Sequence, residues 1–173
     1  MQHDAFFWIS TINKATVVVN RRAGLISERI ARLAARGIDA VERDADADAA
    51  KRVDKYIAYE PMLVAATSPE VTIIHAGRSS QDILSTMRLA LSEEGTLSVI
   101  DALDGVIEEL LDLAKRHRDT IVPNYTNGVA AQPNSLGHEL LGHVAAFLRD
   151  RERLTEALER GAFSPMGATV LNG

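Results

Sequence analysis

Residues 97–118 have the sequence LSVIDALDGVIEELLDLAKRHR, and this stretch decides the fold class. Apolar residues recur along it at alternating spacings of three and four: Ile100, Leu103, Ile107, Leu110 and Ala114. This pattern is typical of a helix that packs along the seam of a helical bundle. Such a helix would extend about 33 Å, at about 1.5 Å per residue. We therefore predict an all-α fold built around long helices.

The composition agrees with this fold class and excludes several functions. The 173 residues are 46% hydrophobic, 25% charged and only 5% aromatic, which favours close helix packing over a β-sandwich. Nineteen Lys and Arg against 24 Asp and Glu give a net charge of −5, which argues against nucleic acid or an anionic membrane as the main partner. The chain has no Cys, so it can form no disulfide, and it has no apolar stretch of membrane-spanning length. We predict a cytoplasmic protein.

Three helices are predicted before residue 68. The spacing of Trp8, Ile12, Ala15 and Val19 predicts a helix over about 6–22. Ser27 is expected to cap a short second helix that ends at Gly37, and a third helix is expected from about 47 to 60. The β-branched run 71–74 has the propensity of a strand but no sheet to join.

Capping signals divide the rest of the chain. Ser79 and Asp82 form a capping box, which predicts a helix from about Ser80 to Gly95, before the long helix of 97–118. Residues 120–134 contain two prolines and are predicted to form a loop. Ser135 is expected to cap a last long helix that ends at Gly161, followed by a turn-rich tail over 162–173.

Two patterns that resemble metal sites are better explained without a metal. The acidic residues of 44–48 alternate with Ala and lack a glycine turn, so we predict a solvated helix start. His138 and His143 are five residues apart, which separates their rings by roughly 140° around a helix. They cannot share one zinc ion, and we predict no metal and no other cofactor.

Residues 75–82, HAGRSSQD, place an arginine, two hydroxyls and a glycine around a helix start. Backbone N–H groups, the helix dipole and the guanidinium of Arg78 would together hold a carboxylate or phosphate. The alternative from this segment alone is that Ser79 only caps the helix while Arg78 forms a surface ion pair. Both interpretations remain open on these residues.

A second segment makes a family resemblance specific. Residues 123–138, PNYTNGVAAQPNSLGH, follow HAGRSSQD in order. The two segments resemble the signatures H-x-G-R-S-x-N-D and P-G-Y-T-H-x-Q-x-A-Q-P-x-x-x-G-H of the argininosuccinate lyase branch of the fumarase/aspartase superfamily. The stretches LRDRERL at 148–154 and SPMGA at 164–168 also resemble that branch. The resemblance covers most of the chain from Glu60 onwards.

The resemblance implies a fold, an assembly and a reaction. It implies a fumarase/aspartase-like long-helix bundle, with an N-terminal helical region over 1–78 and the first part of the central bundle, truncated, over 79–173. Members of the family are homotetramers that build each active site from three subunits, and the resemblance implies no metal, nucleotide or flavin. They catalyse a β-elimination that cleaves a C–N bond of a small anionic substrate and releases fumarate. In the argininosuccinate lyase branch this step belongs to arginine biosynthesis.

The resemblance also assigns roles to residues at matching positions. Arg78 and Ser79 would bind a substrate carboxylate, and Gln81 stands where the family has a substrate-binding Asn. Thr126 would hydrogen-bond the substrate, and Gln132 matches the Gln of the second signature. Asn127 stands where the family has a proton-donating His, and an amide cannot titrate. The catalytic residues themselves stay unassigned.

Two departures leave alternatives open. The sequence SSQD is closer to the adenylosuccinate lyase and carboxymuconate cycloisomerase branches, so the branch and the released amine are not fixed. The family's loop with the catalytic serine does not occur in these 173 residues, so we expect the chain alone to be inactive, or to be completed by a second chain. The second hypothesis is a non-enzymatic, lyase-like bundle with a structural or ligand-binding role.

Overall fold

The computed structural model describes residues 3–167 and confirms an all-α architecture with one added hairpin. Its helices are α1 (Ala5–Arg22), α2 (Glu28–Ala47), α3 (Tyr56–Ala65), α4 (Ser80–Arg116) and α5 (Leu136–Gly161). Two 3-10 helices, Ala49–Lys51 and Pro69–His75, flank α3. Strands β1 (Ile121–Thr126) and β2 (Val129–Ser135) form an antiparallel pair between α4 and α5. Within residues 3–167, no helix is both long and apolar enough to span a membrane.

The described residues fall into two compact units. The first contains the residues up to Glu94 together with those from Phe163 onwards, and the second is Gly95–Ala162. The division at residues 78 and 79 that the sequence suggests stays a prediction about domain organisation. Ala168, the last residue of the SPMGA stretch, lies outside the described residues.

The first unit is held by an apolar core between α1, α2, α3, the second 3-10 helix and the start of α4. Tyr56, Tyr59, Leu63, Ile74 and Ile83 are all almost completely buried there. Tyr59 packs against Phe6 with ring centroids 5.6 Å apart, and its hydroxyl lies 3.0 Å from Ser10 Oγ. This unit therefore buries its large core side chains within itself.

The helix boundaries in this unit correct three predictions. α2 continues through Gly37 because Gly37 packs against Leu63 and Thr67, where a Cβ would meet Thr67 Cγ2. α2 ends at Ala47, so the acidic run at 44–48 closes a helix instead of starting one, and the predicted helix over 47–60 is wrong. Asp48 caps the 3-10 helix that follows, accepting a hydrogen bond from Ala50 N at 3.0 Å.

The face that α1 buries also differs from the prediction. Ala15 and Val19 of the predicted stripe are exposed, whereas Asn13 and Asn20 are buried beside Ile12. The helix itself was predicted correctly, but its core-facing side carries polar groups. The run 71–74 forms part of the 3-10 helix Pro69–His75, in which Val71 and Ile74 are buried.

α4 is one continuous helix, so the predicted break at Gly95 is wrong. A glycine inside a helix costs roughly 1 kcal/mol relative to alanine, which a helix of this length tolerates. The capping box at its start is confirmed: Ser79 N donates to Asp82 Oδ2 at 2.7 Å, and Asp82 N donates to Ser79 Oγ at 3.3 Å.

Within the second unit, α5 packs on the C-terminal half of α4 through few contacts. Gly137 lies against the backbone of α4, where a Cβ would be 2.6 Å from Ala114 O. Arg151 donates two hydrogen bonds to Asp104, at 2.5 and 3.0 Å. Ser135 caps α5 as predicted, accepting a hydrogen bond from His138 N at 3.1 Å.

Residues 120–134 were predicted to form a loop, but they form most of a β-hairpin. Thr126 pairs with Val129, which leaves Asn127 and Gly128 as a two-residue turn. Both turn residues have positive φ, 50° and 76°. An Asn-Gly pair with this backbone conformation is the preferred connection of a tight hairpin, because its twist matches that of the strands.

Candidate functional site

The start of α4 presents polar groups that no described residue of the first unit covers. Ser80 and Gln81 are exposed, and Ser79 is half-buried as the capping residue. The first N–H groups of a helix have no acceptor within the helix, and the helix dipole places partial positive charge there. Gly77, with a φ of 78°, has open space around its Cα, so a ligand can approach the backbone closely.

Arg78 does not form the surface ion pair considered from the sequence. The residue is only 7% exposed, and its guanidinium points towards α1. Nη1 donates to Thr16 Oγ1 at 2.8 Å, and Nη2 donates to Asn13 Oδ1 at 2.5 Å. The Nε atom is buried and has no hydrogen-bond partner among the described residues.

An aromatic ring and two titratable side chains surround Arg78 on its other side. The guanidinium carbon lies 5.5 Å from the centre of the Tyr56 ring, within the range of a cation–π interaction. His75 stacks edge-on against the same ring at 4.5 Å, and its Nε2 is 3.4 Å from Glu60 Oε1. Burial, with a smaller contribution from the positive charge of Arg78, lowers the pKa of His75 below its usual value. Burial also lowers the pKa of Arg78 and raises that of Tyr56.

A cavity of about 420 Å³ lies beside Arg78 within the first unit. Its lining is mainly apolar, from α1 and from Met166, and Thr16, Gly77 and Arg78 border it. A small apolar cavity with a few polar groups at one side is typical of ligand sites. Arg78 therefore lies between the core and a space that a small molecule can enter.

The hairpin carries the remaining predicted site residues. Thr126 ends β1, Asn127 occupies the first turn position, and Gln132 lies in β2; all three side chains are exposed. Asn127 thus has a conformational reason to be Asn, since Asn adopts positive φ more readily than most residues. Its amide can donate and accept hydrogen bonds but cannot deliver a proton.

The structure gathers Arg78, Ser79 and Gln81 at one helix start and places Thr126, Asn127 and Gln132 on one hairpin. Asn13 and Thr16, which bind Arg78, were missed from the sequence. Their only signal is that polar residues at 13, 16 and 20 recur at the spacing of one helix face. Within residues 3–167, no cluster of His, Asp and Glu is arranged to hold a metal ion.

Comparison with known proteins gives concordant results. The model of a family described as lyase matches residues 14–173. The argininosuccinate lyase of Pelotomaculum thermopropionicum is 34% identical over 161 residues, which cover 88% of this chain and 34% of that protein. The argininosuccinate lyase of Synechococcus sp. is 35% identical over 159 residues, covering 87% and 33%. The chain spans about a third of the length of the curated relatives it matches.

Solved structures agree with the sequence relatives. A crystal structure of EDDS lyase in complex with formate has a TM-score of 0.90 and 27% identity, covering 98% of this chain and 34% of that one. A fumarate lyase from Mesorhizobium sp. BNC1 has a TM-score of 0.72 and 21% identity, covering 88% and 37%, and supports the fold alone.

Proposed function

Because this chain belongs to the lyase family, in the fumarase/aspartase superfamily, and resembles its argininosuccinate lyases, we propose that it forms part of a C–N lyase that releases fumarate from a succinyl-amine substrate. The observation that carries this proposal is the open start of α4. There the backbone of Ser79–Gln81 begins the helix at an accessible surface, and the buried guanidinium of Arg78, the preceding residue, adds positive charge. This arrangement suits a carboxylate.

The chemistry assigns separate roles to the residues at the start of α4 and to those on the hairpin. A proton leaves the carbon next to a carboxylate, the electrons pass into that carboxylate as an aci-carboxylate, and the C–N bond breaks. Fixed donors at the developing dianion lower the barrier of such a step. Ser79, Gln81 and the first N–H groups of α4 would bind one carboxylate, with Arg78 supplying charge.

The hairpin would supply the hydroxyl of Thr126 and the amide of Gln132 for hydrogen bonds to substrate. Asn127 would orient the substrate without transferring a proton. The amine released, the base and the branch of the superfamily are not assigned by these residues.

The surface of the second unit supports an oligomeric enzyme. Five large aliphatic side chains there are about half exposed: Leu97, Val99, Val106, Leu141 and Leu148. Exposed apolar residues along helices favour association with further copies. We propose the homotetramer typical of the family, acting in the cytoplasm.

One observation favours a second function, a catalytically inactive, lyase-like ligand-binding bundle. Asn127 fits its tight turn for a structural reason. The absence of a proton donor at this position is therefore explained without any catalytic role. In that case the start of α4 would bind dicarboxylates without turnover.

A hybrid enzyme tests the proposal and separates the two functions. This chain would replace the matching third of the Pelotomaculum thermopropionicum argininosuccinate lyase, and fumarate formation from argininosuccinate and other succinyl amines would be followed. We expect measurable release, and Asn127→His should raise it by about 10² to 10⁴, the usual contribution of a general acid. That variant should also add a decline at alkaline pH, because the imidazole must be protonated to act as the acid.

A tetrameric hybrid that releases no fumarate with either residue at position 127 would contradict the enzymatic proposal. If that hybrid still binds succinate, the ligand-binding function is the better account.

A further inference from the structure

The positive charge of Arg78 is buried without a negative partner. Within residues 3–167, no carboxylate forms an ion pair with its guanidinium at 4 Å or less. The residue is nevertheless only 7% exposed. Glu60 acts on it only from a greater distance and lies 3.4 Å from His75 instead. A buried charge left without compensation is expensive.

Among the described residues, each group that touches the guanidinium is uncharged. Asn13 offers an amide oxygen, Thr16 a hydroxyl and Tyr56 the face of its ring. Asn13 is fully buried, and Asp would fit the same space because it is nearly the same size. The amide oxygen of Asn13 accepts a hydrogen bond from Arg78 without neutralising its positive charge, whereas a carboxylate would cancel that charge.

We propose that Asn13 and Thr16 form a neutral clamp that positions Arg78 and keeps its charge available to a ligand carboxylate, which supplies the missing negative partner. The two remaining N–H groups of the guanidinium nitrogens and the unpartnered Nε provide donors for it. The ligand enters from the side of Gly77, where the backbone is open. Asn13 is thus a positioning residue for anion selectivity, an inference that rests on the proposed function.

The test measures succinate binding to the full 173-residue protein by titration calorimetry, with dimethyl succinate as the uncharged probe. In Asn13→Asp a carboxylate takes the place of the amide oxygen, so Arg78 stays held while its charge is cancelled. We expect the melting temperature to stay within a few degrees of wild type while succinate affinity falls about tenfold or more. A merely structural role for Asn13 would instead change stability and affinity together.

Two further variants keep the test decisive if Asn13→Asp does not fold. Thr16→Asp delivers the same charge to Nη1 from a partly exposed position and should weaken succinate binding similarly. Val18→Asp adds a charge to the exposed side of the same helix, at a residue that does not line the cavity, and should change affinity less than about twofold because water screens it. In an Arg78→Gln background, Asn13→Asp should have no further effect.

The outcomes are distinct. Unchanged succinate affinity in both Asn13→Asp and Thr16→Asp, or an equal loss in Val18→Asp, overturns the neutral clamp while the proposed function stands. A wild-type protein that binds no succinate overturns both.

Discussion

The two compact units of this chain bury their apolar residues very differently. In the first, the core includes whole tyrosine, leucine and isoleucine side chains at almost no exposure. In the second, the buried apolar side chains among the described residues are Ile107, Ala114 and Val144, while larger ones such as Leu97 and Leu148 remain about half exposed. Long helices alone therefore do not show that a unit has a complete hydrophobic core. The first unit is stabilised from within, whereas the second leaves large apolar side chains exposed.

This contrast has a functional side. Arg78 and the capping box at Ser79 are fixed by hydrogen bonds inside the first unit. Thr126, Asn127 and Gln132 stand exposed on a hairpin. Arg78 and Ser79 are thus held in place within the first unit, whereas the hairpin residues are exposed.

The largest expected effect is the loss of a core side chain in the first unit. Leu63 is 1% exposed, and Leu63→Ala should lower the free energy of unfolding by about 3 kcal/mol, within the usual range for a buried leucine. Urea unfolding at low protein concentration measures it. Leu148→Ala, at a residue 49% exposed in the second unit, is the matched control and should change stability by about 0.5 kcal/mol or less. Equal losses in the two variants would show that the two units do not differ in how they bury their apolar side chains.

The second unit should be sensitive where its two helices touch. In Gly137→Ala the new methyl group would lie 2.6 Å from Ala114 O and 2.8 Å from Arg118 Cα, both backbone atoms that cannot move aside cheaply. We expect a loss of about 1 to 3 kcal/mol, as for other overpacked sites.

Gly142→Ala is the control for that substitution, because it lies in the same helix with nothing within 4 Å of the added Cβ. It should stabilise the protein by up to about 1 kcal/mol through helix propensity. If Gly137→Ala proved as harmless as Gly142→Ala, the packing of α5 on α4 would be different from that described.

Association should depend on the second unit alone. Leu97→Glu combined with Leu148→Glu should raise the subunit dissociation constant by at least about tenfold, or about 1.4 kcal/mol, because charges replace apolar contacts. Analytical ultracentrifugation over a concentration series measures this change. Val18→Glu, at a residue 48% exposed in the first unit, should leave the assembly intact. If Val18→Glu dissociated the assembly instead, the interface would lie on the first unit.

The smallest effect concerns pH. Burial lowers the pKa of His75 in the folded state, so neutral His75 stabilises the first unit above its usual pKa of about 6.5. This contribution is lost as pH falls below that value through the lowered pKa, because protonation then favours unfolding. His75→Gln should reduce the dependence of the melting temperature on pH between pH 7 and 5. His143→Gln, on the exposed surface of α5, is the control. An unchanged slope in His75→Gln would assign the acid sensitivity to other groups.

Local rules predicted the capped starts of helices better than the positions where helices end. Ser27, Ser79 and Ser135 cap helices as expected, because a cap depends on residues within one turn. Gly37 and Gly95 were expected to end helices, but packing against Leu63 at the first and helix length at the second override that signal. The hairpin was missed because Pro123 and Pro133 suggested a loop, although Asn127-Gly128 carried the signal for a tight turn.

The candidate site shows the same division. Residues 75–82 could be chosen from the sequence because the helix start and its charged neighbour are adjacent in the chain. The partners of Arg78 lie on α1, more than sixty residues earlier, and only the fold brings them together. No local pattern contains the information that this guanidinium is buried.

The most direct test of the central claim, that the start of α4 binds the carboxylate of a lyase substrate, is an amide NMR titration of the protein with succinate. The backbone N–H groups of Ser79, Ser80 and Gln81 should show the largest, saturable chemical-shift changes, because they would donate to the bound carboxylate. Dimethyl succinate should leave these signals in place. Succinate that moved none of the three amides, or that shifted only residues remote from this helix start, would contradict the account.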